Sequence, residues 1–212
     1  RVNDEGFFEM LYNPDFFARL TDEQKQGVLI HEFYHLIFEH VTGRLPDELA
    51  GIMSSGQPSK ADQTLFKLWN IAADLAINYH IGAERLPETC CIPGGEKFED
   101  MPGDMTAEWY YDKLKEKMEE QGEGGSGEGD ESGEGQGGQG GFDPDDAGQF
   151  DSHDDWGKGN PAPEEQAAMD IAKERLKEAL KDAANESAQR GWGTVGASCR
   201  KEIMDRITSK VD

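Results

Sequence analysis

Residues 28–44, VLIHEFYHLIFEHVTGR, contain the most informative pattern of the chain. His31 and His35 lie four residues apart in it, and Glu32 directly follows the first. On an α-helix, residues i and i+4 share one face, with Cβ atoms about 5–6 Å apart. Two imidazoles at this spacing can bind one Zn²⁺ at about 2.0–2.1 Å each. The HExxH pattern therefore predicts a metal site on a helix.

Glu32 is the predicted catalytic residue of this pattern. Successive side chains of an α-helix are turned by about 100°, so Glu32 can approach a metal-bound water without binding the metal. Zinc lowers the pKa of such a water to about 7, and the carboxylate can take its proton as the water attacks a carbonyl carbon. The five-letter pattern also occurs by chance, and an ordinary buried helix that carries two histidines is the alternative.

The helix that carries these residues is predicted to be buried. Thr21 and Gln24 form the capping-box pattern that starts a helix, and Gly43 is its predicted end. Apolar side chains occupy nearly every face, as in a helix enclosed by protein. Two imidazoles and a carboxylate buried together without partners would be costly, so this burial favours the metal site.

A second apolar helix, predicted over residues 61–80, supplies the third candidate ligand. Asn70, Asp74 and Asn78 follow one another at intervals of four and form one polar stripe on it. A buried carboxylate needs a cation, and no lysine or arginine lies near Asp74 on this helix. We therefore predict Asp74 as a metal ligand, with Asn78 or Asn70 hydrogen-bonded to a ligand.

Two other interpretations concern residues near this site. Asp74 can instead cap a neighbouring element or pair with Arg44 or Arg85. His40 extends the motif to HEFYHLIFEH, but it comes one residue early for the HExxHxxGxxH pattern, and the glycine that turns the chain there is missing. Nine residues after His31, it is predicted to lie on the opposite face of the helix as a core or helix-end residue.

The whole pattern predicts a mainly helical chain with a small β element, an α+β fold. The β element is the aromatic run over residues 7–12, which ends at a turn signal, Asn13-Pro14. Residues 44–60 are predicted to be a loop. Further helical segments are predicted over residues 15–20, over 107–120 after the cap Thr106, over 164–189 and around 203–207.

Three parts are predicted along the chain. Residues 1–120 form the core with the candidate site, and residues 121–160 form an acidic, mobile linker. Within the linker, residues 121–141 contain only glycine, glutamate, glutamine, serine and aspartate, which cannot bury enough surface to offset the entropy of ordering. Residues 161–212 are C-terminal helices that pack on the core or lead to a further domain.

The charge and the cysteines bear on partners and location. A formal net charge of −23 opposes binding to nucleic acid and to an anionic membrane surface. No apolar run approaches the roughly 20 residues that span a bilayer. The three cysteines include no CxxC pair, so they predict neither a disulfide framework nor a cysteine zinc site. A reducing, cytoplasmic location is the expectation.

Several stretches resemble one known family. They are similar to the metallopeptidase domain that precedes a von Willebrand A-like domain in bacterial and phage proteins, and HExxH followed by a ligand from a later helix resembles the zincin metallopeptidases. The resemblance extends over most of the chain outside the Gly/Glu tract. The stretches that carry it are YNPDFFARL (12–20), LIHEFYHLIFEH (29–40) with Arg44, WNIAADLAIN (69–78), LPE (86–88), TAEWYYDKL (106–114), residues 152–156 and GTVGASCRKEIMDRITSKVD (193–212).

The resemblance implies a zincin-like fold that holds one Zn²⁺ per chain through His31, His35 and Asp74. The implied activity is zinc-dependent hydrolysis of peptide bonds in a protein or peptide substrate. It also implies a von Willebrand A-like partner domain after Asp212. In zincin-like sites an edge strand binds extended peptide, a role that residues 7–12 can take.

Two other functions are compatible with the sequence. One is a catalytically silent metal-binding scaffold or regulatory module that partners the downstream domain. The other is an acidic interaction module in which the Gly/Glu tract is the functional part.

Candidates for stabilising the oxyanion come from outside the motif helix, as is frequent in zincins. They are His153, Tyr79, Tyr34 and His80. For His153, an exposed loop histidine among aspartates is the preferred interpretation.

The sequence also offers a second candidate cation site. Residues 143–154 partly resemble a calcium loop, with candidate ligands Asp143, Asp145 and Asp151. Ala147 stands at a ligand position and no helix enters the loop, so only weak Ca²⁺ binding is expected.

Overall fold

The computed structural model describes residues 1–55, 58–123, 144–147, 162–193 and 195–208. The described part of the chain is mainly helical, as predicted. Its elements are α1 (Pro14–Arg19), α2 (Asp22–Ile37), α3 (Asp47–Ser55), α4 (Lys60–Ile81), α5 (Ala107–Glu123), α6 (Pro163–Arg190) and α7 (Ala197–Thr208), with 3₁₀ turns at Ala83–Arg85 and Pro144–Asp146.

Helix α2 begins as predicted but ends earlier. Thr21 Oγ1 accepts a hydrogen bond from the backbone N–H of Gln24 at 3.2 Å, and the Gln24 side chain accepts one from the N–H of Thr21 at 3.0 Å. The prediction that this helix continues to Gly43 is wrong. Glu39 adopts a left-handed φ of +61°, and the helix ends at Ile37.

Helix α4 is the central element. Ser59 and Asp62 form its capping box, and Gly82, with φ of +93°, ends it. The prediction of a helix over residues 61–80 is therefore confirmed to within one residue at each end. The middle of the helix is buried on every face, which its apolar composition predicts.

Two apolar clusters enclose α4. The larger fills the space between α3, α4 and α5, and the smaller joins the ends of α2 and α4 to α7. Their main buried members are Leu49, Leu68, Trp69, Tyr110, Tyr111 and Leu114 in the first cluster, and Phe38, Ile77, Ile81, Cys199 and Ile203 in the second. Because both clusters contain residues of α4, close packing fixes this helix on more than one side.

A glycine allows α2 to lie against the 3₁₀ turn that follows α4. Gly27 is buried, and a Cβ atom at this position would overlap the carbonyl oxygen of Arg85. A larger residue would push α2 away from this turn, together with His31 one helical turn further along.

Two further predictions about secondary structure are wrong. Residues 7–12 form no strand: among the described residues, the backbone makes a single antiparallel bridge between Val2 and Phe8. An isolated pairing of this kind is marginal in water without further strands. Residues 44–60 are not entirely loop, because the fully buried Leu49 anchors helix α3 to the larger cluster.

Most of the predicted linker lies outside the described residues. Helix α5 continues to Glu123, and residues 144–147 reach the core. Ala147 is buried there, and its carbonyl oxygen accepts a hydrogen bond from the Cys91 thiol at 3.3 Å. The mobility of residues 121–160 stays a prediction, as does the division of the chain into three parts.

The C-terminal helices contact distant parts of the chain. Arg175 of α6 donates hydrogen bonds of 2.8 Å to the carbonyl oxygens of Glu5 and Gly6. Helix α7 packs on the core through Cys199 and Ile203. None of the described helices is both long and apolar enough to cross a bilayer.

Candidate metal centre

Three buried side chains from two helices come together in the core. His31 and His35 lie one turn apart on α2, and Asp74 lies on α4; their exposed fractions are 0, 0 and 1%. His31 Nε2 and His35 Nε2 are 2.8 Å apart. Asp74 Oδ1 lies 3.8 Å from the first of these nitrogens and 3.3 Å from the second. The structure thus brings together the three residues that the sequence predicts as ligands.

The three atoms fit a single metal ion. Ligands of a tetrahedral zinc at about 2.0–2.1 Å are about 3.3 Å from one another. One observed separation equals this value and the other two lie 0.5 Å below and above it. One candidate ligand atom from each residue lies within 4.8 Å of the others. Two imidazoles and a carboxylate are also a known donor set of catalytic zinc sites, in which a further position stays open.

Asn78 fixes the ring of His31. Its Oδ1 lies 2.7 Å from His31 Nδ1, and its Nδ2 donates a hydrogen bond of 2.8 Å to the carbonyl oxygen of Cys91. Because that carbonyl can only accept, the amide must present its oxygen to His31, whose Nδ1 therefore carries the proton. His31 Nε2 is then left to face the cluster with its lone pair, the arrangement found in metal-binding histidines.

His40 lies beside His35, contrary to the prediction. Its ring is buried, and its Nδ1 lies 3.0 Å from His35 Nδ1. The predicted position on the opposite face assumed a helix that continues past residue 40. Because α2 ends at Ile37, the chain turns and the ring reaches back. Neither glycine nor asparagine stands at position 39, so the sequence carries no ordinary signal for this turn.

The structure also places the predicted base Glu32 and the alternative ion-pair partner Arg44. Glu32 is half-buried on α2, directly after His31. Arg44, one alternative partner for Asp74, instead binds Glu108 at 2.8 and 2.9 Å and also pairs with Glu202. The ionisable neighbours within 4 Å of Asp74 Oδ1 therefore include His31 and His35, and Arg44 is not among them.

A family model described as a putative metallopeptidase domain matches residues 2–212. The chain belongs to this family. No curated protein and no solved structure matches it significantly. Membership of the metallopeptidase-domain family and the buried His-His-Asp cluster agree, since both indicate a chain that can bind a metal ion.

Other predicted site residues of this metallopeptidase-domain protein lie further out. Asn70 is half-buried one turn before Asp74, and its side chain makes no hydrogen bond within the described part of the chain. Tyr79 is 47% exposed, and its ring lies 5.6 Å from that of His80. His153 lies outside the described residues.

Tyr34 and His80 lie at the interface with α7. Their ring centroids are 6.1 Å apart. Burial raises the pKa of the Tyr34 phenol and lowers the pKa of His80. His80 also lines a cavity of about 40 Å³ together with His40 and Arg44.

The predicted calcium ligands are described only in part. Asp145 is exposed and pairs with Lys67. Asp143 and Asp151 lie outside the described residues, so calcium binding at this segment stays a prediction.

Proposed function

We propose that this protein is a zinc-dependent metallopeptidase that hydrolyses peptide bonds. The observation that carries the proposal is the cluster of His31 Nε2, His35 Nε2 and Asp74 Oδ1, buried beside Glu32 in a chain of the metallopeptidase-domain family. The zincin-like arrangement, a protein or peptide substrate and a von Willebrand A-like partner domain belong to the same proposal and are supported by the resemblance of the motifs.

Each residue has a separate role in the proposed reaction. His31, His35 and Asp74 hold the ion, and Asn78 orients His31 through its ring Nδ1. Zinc supplies Lewis-acid polarisation and lowers the pKa of a water. Glu32 takes the proton from the attacking water and returns it to the leaving amine, so that general base and general acid are the same carboxyl group.

Substrate binding does not rely on the predicted strand. The sequence predicts that residues 7–12 hold extended peptide along a sheet edge, but the described residues form no such edge. Leu11 and Tyr12 are nevertheless 70% and 62% exposed, so this segment can offer an apolar surface to a peptide without pairing its backbone.

A metal-binding scaffold without turnover is the second candidate function. It is favoured by the near-complete burial of the three candidate ligands, which expose at most 1% of their surface. A substrate must reach the ion in a peptidase, whereas a structural ion needs no access.

The substitution Glu32→Gln separates the two functions. It removes the base and keeps the shape of the side chain, and the proposed ligands are untouched. The zinc-loaded variant should hydrolyse fluorescently labelled casein at least about 100-fold more slowly than wild type, with equal zinc content. Glu23→Gln, an exposed position on the same helix, is the matched control and should behave as wild type.

Two outcomes would contradict the proposed peptidase activity. Hydrolysis that persists in Glu32→Gln would remove this residue from the reaction. If zinc-loaded wild type binds one zinc per chain and cleaves neither casein nor a random peptide library, the scaffold is favoured instead.

A further inference from the structure

The turn after α2 is built to bring His40 back to the end of the helix. The backbone N–H of His40 donates to the carbonyl oxygen of His35 at 3.0 Å, and that of Glu39 donates to the carbonyl oxygen of Leu36 at 3.0 Å. These two bonds form a Schellman motif, in which glycine normally takes the left-handed position. Here Glu39 takes it, at φ +61°, although this conformation is unfavourable for a residue with a side chain.

The turn places the His40 ring in a closed, aromatic setting. The ring is 1% exposed, and the centroids of Phe38 and Trp69 each lie 5.9 Å from its own. Close packing of this kind leaves the His40 side chain few rotamers. His40 Nδ1 is therefore held at its distance of 3.0 Å from His35 Nδ1.

A hydrogen bond between two ring nitrogens needs one donor and one acceptor. His35 faces His31 and Asp74 with its Nε2, so that nitrogen must give a lone pair to an ion held in common. A neutral imidazole that uses Nε2 in this way carries its proton on Nδ1. That proton needs an acceptor, and His40 Nδ1 occupies the place where an acceptor is required.

We propose that His40 is a positioning residue that accepts the Nδ1 proton of His35 and thereby holds His35 Nε2 ready to bind the metal. The proposal rests on the proposed metal site. It also assigns the proton of His40 to Nε2. His40 is not itself a ligand of this ion. It contacts Nδ1 of His35, whereas the nitrogen of His35 that faces the cluster is Nε2. It does for His35 what Asn78 does for His31.

Zinc affinity tests the proposal with three variants. His40→Phe keeps a ring of similar shape and removes the acceptor, so the zinc affinity should fall by about 10–100-fold, as for other partners of metal-binding histidines. His40→Asn keeps an acceptor oxygen near the place of Nδ1 and should bind zinc nearly as tightly as wild type. His80→Phe is the matched control. It removes a half-buried histidine that lines the small cavity beside His40. Affinities are measured by competition with a chromophoric chelator.

The ring protons give a second readout that needs no variant. Nitrogen-15 NMR of zinc-loaded wild type should show the proton on Nδ1 of His35 and on Nε2 of His40, with a coupling between the two Nδ1 atoms across the hydrogen bond. A proton on Nδ1 of His40, or a zinc bond to either nitrogen of His40, would overturn the proposal.

The failure of this proposal differs from that of the proposed function. If wild type binds zinc and His40→Phe binds it equally tightly, or if His40→Asn loses as much affinity as His40→Phe, the positioning role is wrong and the metal site stands. If wild type itself binds no zinc, both fail. Urea unfolding of the metal-free variants shows whether a loss of affinity merely follows a loss of stability.

Discussion

Asn78 and His40 determine which ring nitrogen His31 and His35 present to the cluster, although neither is a proposed ligand. Asn78 is itself held by the carbonyl oxygen of Cys91, so its amide cannot turn over without placing two acceptors in contact. This chain of hydrogen bonds runs from the loop at Cys91 through Asn78 to His31. Buried polar groups linked in this way are costly to leave half-satisfied.

Replacement of Asn78 should weaken metal binding. In Asn78→Leu the ring of His31 loses its acceptor and can change tautomer, so the affinity for zinc should fall by about 10–100-fold. Asn70→Leu is the matched control, since Asn70 stands on the same helix and its side chain makes no hydrogen bond in the described part of the chain. Chelator competition measures both, and equal losses in the two variants would contradict the role of Asn78.

Sequence and structure agree for residues whose position follows from helix periodicity. His31, His35 and Asp74 come together whenever two regular helices carry them and pack against each other. Their grouping could therefore be predicted from the spacing of the histidines and from the polar stripe through Asp74. His40 could not be placed, because its position depends on a left-handed residue at Glu39 that no residue type announces. A single unusual φ angle decided which histidine lies beside which.

Among the elements, the regular helices were predictable and the short ones were not. Capping boxes mark the starts of α2 and α4 in the sequence. Helix α3 is short and contains Gly51, and its stability comes from Leu49 in the core, which is a tertiary contact. The strand predicted over residues 7–12 does not form, because strand propensity is insufficient without a neighbouring strand to pair with. In this case the tertiary contact is missing.

The contact between α2 and the turn after α4 is tested by a pair of glycine substitutions. Gly27→Ala places a methyl group into the carbonyl oxygen of Arg85, so it should lower the free energy of unfolding by about 2 kcal/mol. Gly51→Ala, in α3 with open space around it, should raise the same quantity by about 0.5–1 kcal/mol. Urea unfolding of metal-free protein measures both, and a neutral or stabilising Gly27→Ala would contradict the close approach.

At the scale of the whole molecule, ion pairs join the end of the metal-site helix to distant elements. Arg44 binds Glu108 of α5 and Glu202 of α7, and Arg206 of α7 pairs with Glu39 in the turn after α2. Burial would raise the pKa of Glu108, but the hydrogen bond and charge of Arg44 outweigh it and hold the pKa below its usual value. These pairs stabilise the turn that carries His40.

The lowered pKa of Glu108 predicts how stability depends on pH. A carboxyl group whose pKa is lower in the folded state contributes stability above its unfolded pKa, and this contribution is lost as the pH falls through the folded pKa. Arg44→Gln should therefore lower the free energy of unfolding by about 1 kcal/mol at pH 7, the size expected for a partly exposed pair. The difference from wild type should begin to shrink as the pH falls below about 4.5 and should be lost as the pH passes the lower, folded pKa of Glu108. A difference that is the same at pH 7 and pH 3 would contradict the ion pair.

We expect one ion to join α2 and α4 through His31, His35 and Asp74. The most direct measurement is the anomalous scattering of crystals grown from zinc-saturated protein, recorded on both sides of the zinc absorption edge. We expect a single strong zinc peak within about 2.2 Å of His31 Nε2, His35 Nε2 and an oxygen of Asp74. A zinc peak bound by other side chains, or no peak at this cluster in saturated crystals, would contradict it.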